Sequence, residues 1–224
     1  MPHAKPKLPL PAVYRALLRA WGPQRWWPAR TPFEMMVGAI LTQNTAWTHV
    51  EKAIANLRAA GALRVRVLHE APASRVAQWI RPAGYFNLKA RRLKNLAAWY
   101  LRVYGGSIAR MQREETRVLR QQLLDVNGIG KETADSILLF ALQRPVFVVD
   151  AYTRRFLTRH KWLETPAGYD DVADLFERAY RGMPAEQRAL IYNEYHALIV
   201  ALAKRHCRTR PDCASCPLKP WLPS

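Results

Sequence analysis

The chain has 224 residues, half of them apolar, which is enough for one large or two small hydrophobic cores and excludes disorder as its default state. Lys and Arg outnumber Asp and Glu by 35 to 17, giving a formal charge of +18 and a pI near 10.5. An excess of that size points to a polyanionic partner, although a generally basic, Arg-rich proteome would also produce it. The basic residues are spread along the chain, so a charged folded surface is expected, not a basic tail. The opening MPHAKPKLPLP lacks the apolar segment of a secretory signal. The longest apolar runs, ILLFAL and ALIVALA, fall well short of a membrane span. Three Cys crowd into 207–216 and do not form a disulfide framework. A protein of the reducing cytoplasm is expected, associated with the nucleoid if the source is prokaryotic, with no membrane partner.

Helical periodicity dominates. Residues 11–21 (PAVYRALLRAW) begin with Pro11, which suits a first helical turn. Residues 33–60 divide into two helices around the polar stretch LTQNT. Residues 74–80 and 88–104 are amphipathic and flank the loop RPAGYFN. Residues 115–124 and 131–142 form a helix pair across the turn DVNGIG. Further helices are expected over 151–160, 170–181 and 185–206. Strand character is confined to VFVV at 146–149, too short to carry a sheet, and is read as a buried extended connector. The fold class is therefore all-α.

The segment LLDVNGIGKETADSILLFAL (123–142) is the most specific. Gly128 and Gly130 flank Ile129; glycines permit backbone angles closed to other residues and let the main chain approach a ligand. The helix that follows places Ala134, Ile137, Leu138 and Ala141 on one face for packing. Its N-terminus carries free amides and a positive dipole end, suited to phosphate, with Lys131 and Thr133 adding donors. An ordinary turn with a Gly cap would also use glycines here; the apolar residue between them, the following Lys and Thr, and the net charge favour phosphate binding.

GIGKETA (128–134) and VVD (148–150) resemble the helix–hairpin–helix, Gly/Pro and Asp signature of the endonuclease III superfamily of DNA glycosylases. The resemblance covers nearly the whole chain, including GAILTQNT (38–45), GYFNLKARRLKNL (84–96), VFVVDAYTRR (146–155) and the Cys-bearing tail. It implies an all-α fold of two helical domains with a DNA-binding cleft between them. The first would span 32–145, with the hairpin at about 123–142; the second would combine 1–31 with 146–224. The hairpin would bind the phosphate backbone, often with a monovalent cation on its main-chain carbonyls. The implied partner is duplex DNA carrying a damaged base, bound by a monomer.

Asp150 ends the apolar run and begins a helix, a position where Asp is a good N-cap. A fixed carboxylate could equally stabilise the positive charge that builds on a sugar as an N-glycosidic bond breaks, and orient water. The resemblance implies that Asp150 matches the family's catalytic Asp. It also implies that members with lyase activity carry a Lys two residues after the second hairpin glycine. Here that residue is Glu132, and a carboxylate cannot form an imine. A monofunctional glycosylase without lyase activity is expected.

Trp26, Trp27 and Pro28 form a WWP cluster, and Trp47 follows LTQNT. Planar aromatic walls suit electron-poor, cationic alkylated purines, although core packing is the ordinary use of Trp. The segment WWPARTPFEMMVGAILTQNTAW resembles the 3-methyladenine DNA glycosylase branch, which implies that Trp26, Trp27, Pro28 and Trp47 contact the base. Gln43 matches the residue that wedges into the gap left by a flipped nucleotide; a polar helix cap is its alternative. Adenine-specific or mismatch-specific glycosylase activity, and a non-enzymatic DNA-binding module, are the other readings.

Cys207, Cys213 and Cys216 give C-x5-C-x2-C. Relatives with a 4Fe-4S cluster place a fourth Cys further on, but PLKPWLPS has none. Three thiolates could hold a cluster if His206, His196 or an exogenous ligand completed it. Zinc held by three Cys and one His, or no metal, are the alternatives.

Overall fold

The computed structural model describes residues 8–24, 29–163 and 166–223. Among these, every regular element is helical: α1 Leu10–Trp21, α2 Pro32–Leu41, α3 Trp47–Ala59, α4 Val65–Glu70, α5 Ala73–Trp79, α6 Phe86–Tyr104, α7 Ile108–Gln112, α8 Thr116–Leu124, α9 Lys131–Ser136, α10 Ala151–Arg159, α11 Tyr169–Ala179 and α12 Ala185–Arg205. No helix among the described residues is long and apolar enough to cross a membrane. The short helices α4 and α7 are absent from the periodicity reading, because one and a half turns give no repeat to detect.

The chain forms two compact units, Trp27–Arg144 and the pairing of Met1–Trp26 with Pro145–Ser224. In the unit built on 27–144, α2 is the central helix: Phe33 through Leu41 are all buried. Thr31 caps α2 by accepting from the Glu34 amide at 3.1 Å, and Pro32 fills its first position. α2 packs against α3, α6 and α9 and against the turn that continues α9. That continuation, Ile137–Ala141, is a π-helical turn whose five residues are all buried. It ends where Gln143 turns to positive φ and Arg144 donates to Leu138 O at 2.9 Å.

The helices on either side of the hairpin are joined by a buried ion pair. Asp135 is 2% exposed and accepts from Arg120 Nε at 2.6 Å and Nη2 at 3.0 Å. Both carboxylate oxygens meet the guanidinium fork, the geometry that best offsets the desolvation of a buried charge.

In the other unit α12 packs on α1 and α10, and α1 on α11. An aromatic core fills the middle. Phe147 stacks on Phe176 at 3.8 Å between centroids and meets Tyr192 and Tyr195 edge-on. Tyr195 reaches across to donate to Leu10 O at 3.0 Å.

Replacing Asp135 by Ala removes the buried carboxylate that the partly buried Arg120 guanidinium is paired with. A loss of about 3 kcal/mol in folding stability is expected by chemical denaturation; a loss under about 1 kcal/mol, the range of an exposed pair, would contradict the buried-pair assignment.

Candidate nucleic-acid interface and catalytic carboxylate

The hairpin between α8 and α9 depends on two glycines for different reasons. Gly128 has φ +97°, and a Cβ there would lie 2.3 Å from Arg92 Cγ. Neither the angle nor the space admits a side chain. Gly130 has φ −95° in extended backbone, and a Cβ there would meet nothing within 4 Å. The protein itself does not require glycine at 130; the space in front of this N-cap is open. Gly130 supplies no side-chain cap to α9, so the amides at this helix start are not covered by one. Lys131 and Glu132 are exposed beside it.

Thr133 departs from expectation. It is 7% exposed, and its hydroxyl accepts from Gln43 Nε2 at 2.9 Å. The first turn of α9 carries it inward, about 200° around the axis from Lys131, so its side chain is not at the surface to meet phosphate. Gln43 also differs from the projecting wedge expected of it. Its Nε2 donates to Gly128 O at 3.1 Å as well as to Thr133, and its Oε1 accepts from Arg92. The whole amide is spent on bracing the hairpin against α2 and α6.

Trp47 opens α3 and is half-buried, its indole Nε1 donating to Glu51 Oε1 at 2.7 Å. It lines a cavity of about 290 Å³ with Arg30, Glu34, Gly38, Glu51 and Arg58. Glu34, 5% exposed, accepts from Arg58 at 2.7 Å in the wall. Trp26, Trp27 and Pro28 lie outside the described residues.

Asp150 sits at the end of an extended strap. Phe147, Val148 and Val149 are buried, and the strap finds its hydrogen bonds without a sheet. Phe147 N–H donates to Glu177 at 3.0 Å and Val149 N–H to the Tyr169 hydroxyl at 3.2 Å, while Val148 O lies 3.4 Å from His196 Nδ1. Asp150 is then the N-cap of α10. Its Oδ1 accepts from Thr153 N at 2.7 Å and Thr153 Oγ1 at 2.8 Å. Its Oδ2 has no hydrogen-bond partner among the described residues, and the residue is half-exposed. The cap and the chemically available carboxylate are therefore two oxygens of one side chain.

Lys89 and Arg92 escaped the sequence reading. Lys89 is 1% exposed, and its ammonium is pushed down to about 8, first by burial and then by the charge of Arg92. Its signal was a Lys in the apolar register of α6 shared by Leu93, Leu96 and Tyr100, all buried.

The Cys tail does not meet the requirements of a four-thiolate cluster. The fourth thiol is missing from the sequence, and no group of three or more metal-ligating side chains gathers among the described residues. Neither histidine supplies the missing corner. His206 stacks on Trp21 at 5.9 Å with its Nδ1 3.3 Å from Ser215 Oγ, and His196 is turned toward Val148 O. Arg159 closes the loop, donating to Arg208 O at 2.6 Å, Thr209 O at 3.2 Å and Cys207 Sγ at 3.2 Å.

Residues 37–181 match the model of the HhH-GPD superfamily of base-excision DNA repair proteins. The chain belongs to that superfamily. Within it, a Methanocaldococcus jannaschii protein named among the DNA repair glycosylases is 45% identical over 208 residues, covering 92% of each chain. The Helicobacter pylori 3-methyladenine DNA glycosylase, solved with 1,N6-ethenoadenine, is 31% identical with a TM-score of 0.77, over 88% of this chain and 98% of that one. An endonuclease III–DNA covalent intermediate shares the HhH-GPD fold at a TM-score of 0.78 and 20% identity, over 96% of each chain.

Two outcomes follow from this geometry. Gly128→Ala is expected to lower folding stability by about 2 kcal/mol, from the strained φ alone, whereas Gly130→Ala should stay within about 0.5 kcal/mol of the parent; equal effects by calorimetry would contradict the assignment. Protein purified without oxygen is expected to hold less than about one iron per chain, since no three metal-ligating side chains gather among the described residues, and about four irons would overturn that.

Proposed function

We propose that the chain is a monofunctional DNA glycosylase that hydrolyses the N-glycosidic bond of alkylated purines such as 3-methyladenine, taken from duplex DNA as flipped nucleotides. The observation that carries this reading is Asp150, held at a helix start with one oxygen bound and the other available. As the base departs, the sugar gains oxocarbenium character. The open oxygen of Asp150 would stabilise that charge and orient the attacking water. Thr153 holds the carboxylate in place, so little reorganisation is needed when charge develops.

The specificity is supported by Trp47. Its N–H donates to a carboxylate, which makes the indole face richer in electrons and better suited to stack on a cationic base. An alkylated purine is such a base and leaves readily, so weak acid catalysis suffices. The likeness to the H. pylori 3-methyladenine glycosylase points the same way. The open N-terminus of α9, with Gly130 and Lys131, suits a backbone phosphate. Glu132 supports hydrolysis without lyase chemistry, because it offers no amine for a Schiff base.

The test is base release from methylated duplex DNA, with products separated by chromatography. The parent protein should release 3-methyladenine, and Asp150→Asn should reduce kcat by roughly 10²- to 10³-fold while binding DNA as before. Borohydride should trap no covalent adduct. Undiminished release by Asp150→Asn, or a trapped adduct, would overturn the mechanism.

A further inference from the structure

The tail that follows α12 holds all three cysteines of the chain as free thiols, and the three are not equivalent. Cys207 is 8% exposed, and its Sγ accepts from Arg159 Nη1 at 3.2 Å. Its amide donates to Leu202 O at 2.9 Å, so it belongs to the end of α12. Cys213 and Cys216 are partly exposed and lie in one turn. The Cys216 amide donates to Cys213 O at 3.4 Å and closes that turn over Ala214 and Ser215. A turn of this kind brings its first and last Cα atoms within about 7 Å. A disulfide asks for about 4.4–6.8 Å between its Cα atoms. The spacing C-x2-C, folded as a turn, thus places two thiols where a bond between their sulfurs needs little backbone movement.

The turn is also held from outside. Ser215 Oγ donates to Asp212 and lies 3.3 Å from His206 Nδ1, and the Ser215 amide donates to Asp212 Oδ1 at 3.4 Å. His206 in turn stacks on Trp21 at the end of α1. On the inner side, the amide of the fully buried Leu218 donates to Cys216 Sγ at 3.4 Å. That bond fixes the position of the Cys216 sulfur and supports negative charge on it. Arg208, Arg210 and Lys219 are exposed in the same tail. Such cations raise the local concentration of an anionic reagent. Partial exposure in cationic surroundings is the setting of a reactive cysteine, whereas a buried one is inert. No group of three or more metal-ligating side chains gathers among the described residues, so the chemistry this turn supports is that of two thiols.

We propose that Cys213 and Cys216 form a reversible dithiol–disulfide pair, a modification site for low-molecular-weight disulfides of the glutathione class, and that Cys207 stands outside it. The thiolate of one cysteine, its proton released to solvent, attacks one sulfur of the reagent. The S–S bond of the reagent breaks, and its other half leaves as a thiolate that takes up a proton. The second cysteine then loses its proton and attacks the mixed disulfide at the protein sulfur, and the remaining half of the reagent leaves as a thiol. Two protein thiols and one disulfide thereby become one protein disulfide and two free thiols. The protein gives up two electrons and the reagent takes them. Where the glutathione pool is reduced the pair rests as two thiols, and an oxidising shift closes it. The pair concerns the tail alone and does not rest on the glycosylase reading.

The test uses the full chain, reduced, freed of reductant and incubated with oxidised glutathione under nitrogen. The free-thiol count should fall from three to one, and peptide mapping should place a disulfide between Cys213 and Cys216. Dithiothreitol should restore all three thiols. Cys216→Ser should stop after the first exchange, with one glutathione retained on Cys213. Cys207→Ser should lose both of its remaining thiols and form the same disulfide. A parent protein that keeps three thiols, carries separate glutathiones on Cys213 and Cys216, or bridges Cys207 to either of them overturns the proposal. Bound iron that keeps the thiols unreactive until acid removes it overturns the proposal too. No DNA enters the experiment, so failure to release 3-methyladenine would count against the proposed reaction and leave this result standing.

Discussion

Where the hairpin turns at Gly128, the aliphatic stem of Arg92 occupies the space a side chain would need. The turn can therefore be tight only if that position is glycine, and Arg92 can lie there only if the turn is tight. Much of the 27–144 unit is organised around this contact. Arg92 carries on to the Gln43 amide, which bonds the Gly128 carbonyl and Thr133. Through that amide the end of α2 is tied to the start of α9. The Arg120–Asp135 pair ties α9 to α8. The hairpin is thus rigid from three sides, while the approach to Gly130 is left open. A phosphate-binding turn needs this combination, because main-chain donors hold an anion well only when they are already oriented.

The second unit solves a different problem, that of presenting one carboxylate. An extended segment cannot leave its buried amides unpaired, and with no sheet to join, the strap takes Glu177 and the Tyr169 hydroxyl as partners for its amides. The stacked Phe147–Phe176 pair anchors it in the core. Asp150 emerges at the start of α10 with a defined rotamer because Thr153 donates to it twice. Helix capping takes up only one of the two carboxylate oxygens. The capping bonds also supply the fixed orientation that an electrostatic role requires.

Much of this was legible in the residues. The apolar repeat located the long helices, and VFVV was correctly placed as an extended connector outside any sheet. Gly128 marked the hairpin, because few other residues can hold φ +97°. The side chains of Gln43 and Thr133 were harder to place. Both are polar and both sit beside the hairpin, and a sequence does not say whether such groups face solvent or each other. Lys89 was visible only as a charge in an apolar register, a pattern that also fits a helix with a narrow apolar face.

By itself the sequence determined the all-α class and the hairpin, because these depend on local periodicity and on glycine's unique backbone freedom, and its motifs resembled those of a DNA-repair superfamily. It also determined that residue 132 is a carboxylate and residue 150 an aspartate, which limits the chemistry available to each. Only the tertiary structure decided which polar groups are consumed in holding the molecule together and which remain available. Hydrogen-bond partners distant in sequence, such as Gln43 with Thr133 or Lys89 with Leu41, are brought together by the packing of apolar faces on other residues. The same amide that could have probed DNA braces a turn, and the aspartate that caps a helix does so with one oxygen and leaves the other without a partner among the described residues.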